Sequence, residues 1–446
     1  MERLLATKLS DSNPATDRTI KWEDTVIQAV LSDVGMRRAT NQDSMGTMVA
    51  ETKSVWENYG HFYVVADGMG AHAAGELASK LAVELIPHHY RKQQGQPPAE
   101  SLHKSIADAN AEIFRRGQAN IEFRSMGTTC SVLLLLPEGA VAGHVGDSRI
   151  YQLRGDQLHQ LTFDHSLVWE MQAAGEVTDE TARSGVIPKN VITRSLGPNA
   201  NVQIDLEGPF PVRKGDRFLL CSDGLSGQVT DEEIGALLRS MPPKDAARIL
   251  IDLSNLRGGP DNITALVIEV ASNEIATANQ GSMSVRRNEK QKSFSPALGV
   301  VTAVCFSAAV ILGLINNWPL ALVASVLGVI ALATGLAQVY LVGGSNTDET
   351  TTRYGRGPYR SYPAQGTQGF FEHLVGTMKS LKEAAEERGW TVNWDPINAL
   401  FSQACEKADA KDYNSAIALQ SKVVIELMHQ IRKQRNGNAS DSAVDL

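Results

Sequence analysis

The 446-residue chain carries a net charge of −8, with 42 Lys and Arg against 50 Asp and Glu. A length of that order predicts two to three units. The acidic balance excludes a nucleic-acid binder, because Arg286, Arg287, Lys290 and Lys292 form only a short basic cluster, and four widely separated cysteines exclude a disulfide framework or a zinc site and point to a reducing compartment.

The chain opens on MERLLATKLSDSN, whose apolar stretch is too short for a secretory signal peptide, so residues 1–25 read as an extension ahead of a cytoplasmic domain. From 26 to 271, strand-like runs alternate with helix-like segments at 76–91 and 100–118, the pattern of one α/β-type globular domain. Early in it, SDVGMRRATNQDSMG sets Arg37, Arg38 and Asp43 just after a short strand. Phe62 to Ala66 is a buried strand that stops on Asp67; Gly68 and Gly70 then permit a turn, and apolar residues resume at helical spacing from Glu76. The strand, aspartate, glycine order returns at RFLLCSDG with Asp223 and Gly224, and GGPDNITALVI presents Asp261 and Asn262 before another apolar strand. Carboxylates at strand ends are the donors that Mg²⁺ or Mn²⁺ prefers. Spacing leaves open whether residues so far apart converge, and each Asp-Gly taken alone reads first as a turn.

Residues 272–296 are polar and aperiodic and read as a linker. The runs 297–315 and 318–342 then contain no charged residue, and at about 1.5 Å per residue they are long enough to span a hydrocarbon core of roughly 30 Å. With basic residues on both flanks and none in the NNWP turn, residues 297–342 predict a transmembrane helical hairpin, both flanks cytoplasmic; the alternative is a buried helical hairpin of a soluble protein. A second linker (343–368) leads to a helical tail over 369–435, where Phe371, Leu374, Val375, Met378 and Leu381 share one helix face and Asp395 with Pro396 can start another helix. The segment from Ala399 to Met428 resembles a single tetratricopeptide-like hairpin, which alone buries little, so a plain helical hairpin or a dimerising segment competes with a peptide-binding repeat. Residues 436–446 read as a disordered end.

In order, GMRRATNQDS, VVADGMGAHAAGE, SMGTTCSVLLL, GHVGDSRIYQLR, LTFDHS, VITRSLG, LLCSDGLSG and GGPDNITALVI resemble the motifs of the metal-dependent serine/threonine protein phosphatases of type 2C, particularly bacterial members, over about residues 26–271. The resemblance implies an α+β fold, a central β-sandwich of two antiparallel sheets flanked by helix pairs, with a centre for two Mn²⁺ or Mg²⁺ ions at one end. Carried over motif by motif, Asp67 would bridge both metals, the Gly68 carbonyl would bind one of them, Asp223 and Asp261 would complete the other site, and Asp43 would support the cluster. Arg38 falls at the position that holds the substrate phosphate, where a guanidinium offers a fork of hydrogen bonds. Asp147 matches a residue linked to a third, weaker ion, the segment from Asp164 to about Asn190 would be a mobile flap, and His72 would be a general acid for the leaving group or only a locally bonded helix-start histidine. The sequence departs from the family at Gln42, where many members have Glu, at Met69, which bacterial members share, and at Ala71.

Two such cations would acidify a shared water for in-line attack on phosphorus, with no phosphoenzyme. A cysteine nucleophile is disfavoured, since Cys221 sits in an apolar strand with no phosphate-cradling loop. The expectation is therefore a membrane-anchored phosphatase acting on phosphoserine and phosphothreonine proteins in a serine/threonine kinase pathway, with a protein partner for the C-terminal helices. The competing expectation is a catalytically weak phosphoprotein-binding membrane scaffold that works through those helices.

Overall fold

The computed structural model describes residues 21–70, 73–93, 95–178, 181–182, 186–188, 190–277, 296–340 and 354–435. The N-terminal extension up to residue 20, His72, Ala71, most of the first linker with its basic cluster, the start of the second linker and the end at 436–446 lie outside the described residues.

The strands are β1 (Val26–Asp33), β2 (Asp43–Met48), β3 (His61–Met69), β4 (Gly127–Thr128), β5 (Cys130–Leu136), β6 (Gly139–Val145), β7 (Arg149–Arg154), β8 (Gln157–Gln160), β9 (Asp205–Phe210), β10 (Arg217–Cys221), β11 (Ile263–Val270) and β12 (Arg360–Pro363). They form two sheets, β1-β11-β10-β7-β8-β12 and β2-β3-β5-β6-β9, with β4 paired to β3. All the pairings are antiparallel. The reason is local: β5 to β6 and β7 to β8 are joined by tight turns, too short for the crossover a parallel pair requires. The alternation read as α/β-type therefore resolves into the α+β sandwich that the family resemblance implies.

Strand periodicity assigns the two faces of each sheet. Phe62, Val64 and Ala66 of β3 face α2 (Ala74–Lys92) and α3 (Pro98–Ala119), which follow α1 (Lys53–Tyr59), whereas Tyr63 and Val65 point between the sheets. There they meet Leu133 and Leu135 of β5, Ile150 of β7, Phe218 and Leu220 of β10, and Leu266 and Ile268 of β11. The short helix α4 (Leu167–Ala174) lies beyond β8 in the chain. Past β10 come α5 (Asp223–Ser226), α6 (Asp231–Ser240) and α7 (Pro243–Leu256); α6 starts on a capping box, Thr230 with Glu233. Tyr151, Leu219, Cys221, Ala265 and Val267 send the other face of the first sheet towards α6 and α7.

The helices α8 (Pro296–Leu314) and α9 (Trp318–Tyr340) pack on each other as a hairpin and form a separate unit. No helix among the described residues is long and apolar enough to cross a membrane. The transmembrane hairpin over 297–342, and the membrane localisation drawn from it, are corrected accordingly.

The tail comprises α10 (Gln368–Glu387), α11 (Trp394–Asp409) and α12 (Tyr413–Arg435) and belongs to the same compact unit as the sandwich. Phe371, Leu374, Met378 and Leu381 are buried on one face of α10, as the sequence spacing predicts, and they share a core with Ile234, Leu237, Leu250 and Leu253 of α6 and α7. The tetratricopeptide-like hairpin falls at α11 and α12, and it buries its apolar residues against the sandwich's helix layer instead of against further repeats. The stretch 360–363, expected within a linker, is β12 on the edge of the first sheet, with Tyr362 opposite Leu158.

The tail also completes the sandwich electrostatically. Glu207 of β9 is 2% exposed, and its carboxylate accepts from Tyr359 Oη at 2.5 Å and Gly357 N at 2.8 Å. Asp252 of α7 is fully buried and accepts from Arg432 of α12 at 2.5 Å.

Candidate active site

The site begins with an unfavourable pairing. Asp43, first residue of β2, and Asp67, near the end of β3, are directly opposite each other across the ladder. Like charges at opposed positions repel. Asp67 is fixed through its backbone: its N–H donates to Thr129 Oγ1 at 2.8 Å, and its carbonyl accepts from Thr129 N at 2.8 Å and Thr128 Oγ1 at 2.9 Å. Gly68 must be glycine, because a Cβ there would lie 2.1 Å from the Gly75 carbonyl oxygen.

The other sheet supplies the rest. Ser222, just past β10, and Thr264 in β11 donate to Asp43 Oδ2 at 2.8 and 2.7 Å, so one carboxylate of the second sheet is held by two hydroxyls of the first. Asp223 opens α5 beside Gly224, whose missing Cβ would stand 2.0 Å from the Asn262 carbonyl oxygen. Asn262 ties down the segment that carries Arg37 and Arg38: its Nδ2 donates to the carbonyls of Val34 at 2.9 Å and Thr40 at 3.0 Å, and its Oδ1 accepts from Gln42 N at 2.8 Å. Arg38 Nη2 lies 2.7 Å from Asp261 Oδ2, with the arginine side chain half exposed.

These acids sense one another. Burial, opposed by the hydroxyls of Thr264 and Ser222, pushes Asp43 up to about 7, with Asp223 and Asp261 adding to the rise. Asp67 is held well above the ordinary carboxylate range by burial and then by Asp43, Asp223, Asp147 and Asp261. Burial and Asp261 raise Asp223 to about 6 against a hydrogen bond with Asp67 and the charge of Arg38. Asp147, in the turn between β6 and β7, is raised by burial, Asp223 and Asp164. Thus the structure brings Asp43, Asp67, Asp147, Asp223, Asp261 and Arg38 into one electrostatic neighbourhood, while His72 lies outside the described residues.

An oxygen-rich acidic site of this kind suits a hard divalent cation. One oxygen each of Asp43, Asp147 and Asp223 is buried without a hydrogen-bond partner, as expected of side chains kept for another ligand. Among the described residues, no group of three His, Cys, Asp or Glu side chains is already closed around a single point.

Sequence reasoning missed the residues that hold the site: Ser222, Thr264, Thr128, Thr129 and the side chain of Asn262. Their one signal is a hydroxyl or amide beside an otherwise apolar strand. Cys221, whose thiol burial pushes up to about 12, faces the helix layer and is no nucleophile.

Residues 36–250 match the family model described as protein phosphatase 2C. "Serine/threonine phosphatase stp" of Listeria innocua is 35% identical over 243 residues, 53% of this chain and 93% of that protein. Among solved structures, the serine/threonine phosphatase PstP/Ppp of Mycobacterium tuberculosis is 33% identical with a TM-score of 0.50, covering 55% of this chain and 99% of that one. A structure of the PstP catalytic domain in complex with two manganese ions is likewise 33% identical, with a TM-score of 0.48, over 55% of this chain and 99% of that one.

Proposed function

The chain belongs to the protein phosphatase 2C family, and starting from that membership we propose how its own residues carry out the reaction. It is a metal-dependent protein-serine/threonine phosphatase that uses two Mn²⁺ or Mg²⁺ ions. When bound, such ions supply an acidified water and offset charge on the phosphate. Asp67, the Gly68 carbonyl, Asp223 and Asp261 would hold them, with Asp43 braced by Ser222 and Thr264 and with Asp147 available to a third, weaker ion. Arg38 would receive the phosphate: its guanidinium can offer two parallel donors, and its contact with Asp261 keeps it at the edge of the acidic cluster.

The observation that carries this reading is the burial of several repelling carboxylates, from both sheets, at one end of the sandwich. Phosphoproteins of a serine/threonine kinase pathway are the proposed substrates, and the tail is the proposed seat of any protein partner. Phosphate release from a phosphothreonine peptide should require added Mn²⁺ or Mg²⁺ and should be lost in Asp67→Asn. Peptide binding without turnover under every divalent metal would sink the proposal and favour a scaffold.

A further inference from the structure

The family match stops at residue 250, yet a strand far beyond it touches the segment next to the site. Tyr359 N donates to Gln160 O at 2.9 Å, and its ring meets Phe163 edge-on at 5.4 Å. Arg360 places its guanidinium carbon 3.9 Å from the centre of the Trp169 ring in α4, and its Nη2 donates to Gln172 Oε1 at 3.1 Å. Arg149 of β7 approaches the same ring, at 5.7 Å, and also pairs with Asp164 at 2.7 Å. Trp169 is thus contacted by two guanidiniums, one from the sandwich and one from the tail.

Helix α4 is in turn joined to the acidic cluster. His165 N donates to Gly146 O at 2.7 Å, and Gly146 N lies 3.0 Å from His165 Nδ1, so the turn bearing Asp147 is clasped by the residues that lead into α4. A guanidinium stacked on an indole keeps its in-plane donors free, so Arg360 can hold the ring and Gln172 together.

We propose that Arg360 is a positioning residue for the phosphatase: from the tail strand it fixes α4, and through His165 the Gly146–Asp147 turn, against the acidic cluster that would take up a phosphorylated protein. The tail thereby acts on substrate engagement without entering the site. This inference rests on the phosphatase reading above.

The test uses the full chain with Mn²⁺, as wild type, Arg360→Ala and Arg360→Lys. In Arg360→Ala, amide exchange across residues 167–174 should quicken about tenfold. KM for a phosphothreonine peptide should rise about fivefold while kcat for para-nitrophenyl phosphate stays within about twofold. Arg360→Lys, which keeps the charge but not the stacked fork, should recover only part of each change. Unchanged exchange in α4 together with an unchanged peptide KM in Arg360→Ala would overturn the proposal. Should Arg360→Ala fail to fold, Trp169→Leu removes the same contact from the other side, and the same two readouts decide. A wild-type protein inactive with every divalent metal would remove the phosphatase reading alone, because the exchange measurement still reports whether Arg360 holds α4.

Discussion

Replacing Tyr359 by Phe removes one hydroxyl from the bond that joins the tail to Glu207. Because Glu207 is 2% exposed, no bulk water stands ready to replace that donor. A charge-assisted hydrogen bond is worth about 1.5–3 kcal/mol, part of which is returned because the buried hydroxyl no longer needs a partner, leaving a net loss of about 1–2 kcal/mol. Burial already raises Glu207, while Tyr359 and the backbone at Gly357 and Arg356 favour its ionised form. Losing the hydroxyl raises it further, so the destabilisation is fully present where the carboxylate is ionised and shrinks as pH falls through its folded-state value. Urea unfolding at neutral pH, repeated near pH 4 and in a Glu207→Gln background, measures all three quantities. In the Gln background the bond is neutral, and the loss should fall by about 1 kcal/mol. A Tyr359→Phe protein as stable as wild type at neutral pH, or one equally weakened in both backgrounds, would refute the reasoning.

Two further outcomes follow from the acidic cluster and the core. In the presence of a chelator, the folded protein binds more protons than the unfolded chain between the ordinary carboxylate value and about 7, where Asp43 titrates, so Asp43 costs more stability as pH rises through that window. Buried His61 and His144, lowered to about 4 and about 3, act in the opposite sense below their ordinary value, so the Asp43 contribution is read as wild type minus Asp43→Asn; a difference that does not vary with pH would contradict the assignment. Cys221→Ala should lose about 1–2 kcal/mol through the small cavity it opens, while its manganese-dependent phosphatase rate remains close to wild type; a collapse of activity in a folded variant would reopen the thiol route.

The strands were legible as apolar runs, but the sandwich was legible only through the family resemblance, because β3 and β5 are buried on both faces and carry no polar alternation to say which layer each residue meets. The acids Asp67 and Asp223 were legible because each ends an apolar strand ahead of a glycine, a place where a charge needs a reason. Their convergence was not, since Asp43 reaches Ser222 and Thr264 across the gap between sheets, a contact that no local pattern encodes. Nor was β12: Arg360–Pro363 is four residues long, pairs through its backbone, and ends in a proline suited to an edge. The tail's apolar faces were visible, but an amphipathic helix does not name the surface it will cover. The hairpin illustrates the reverse hazard: an uncharged run reads as a membrane span, yet no helix among the described residues is long and apolar enough to be one.

Because β12 borders β8, the phosphatase half reaches its final form only after the hairpin has been made. During synthesis at about 5–20 residues per second, roughly 90 residues separate the end of β11 from β12, so β8 spends several seconds or more as an open sheet edge with Glu207 still short of its tail donors. An unpaired edge of that kind invites the wrong strand. The nascent chain is therefore most exposed to mispairing in that interval, and a ribosome pausing within the hairpin would lengthen it.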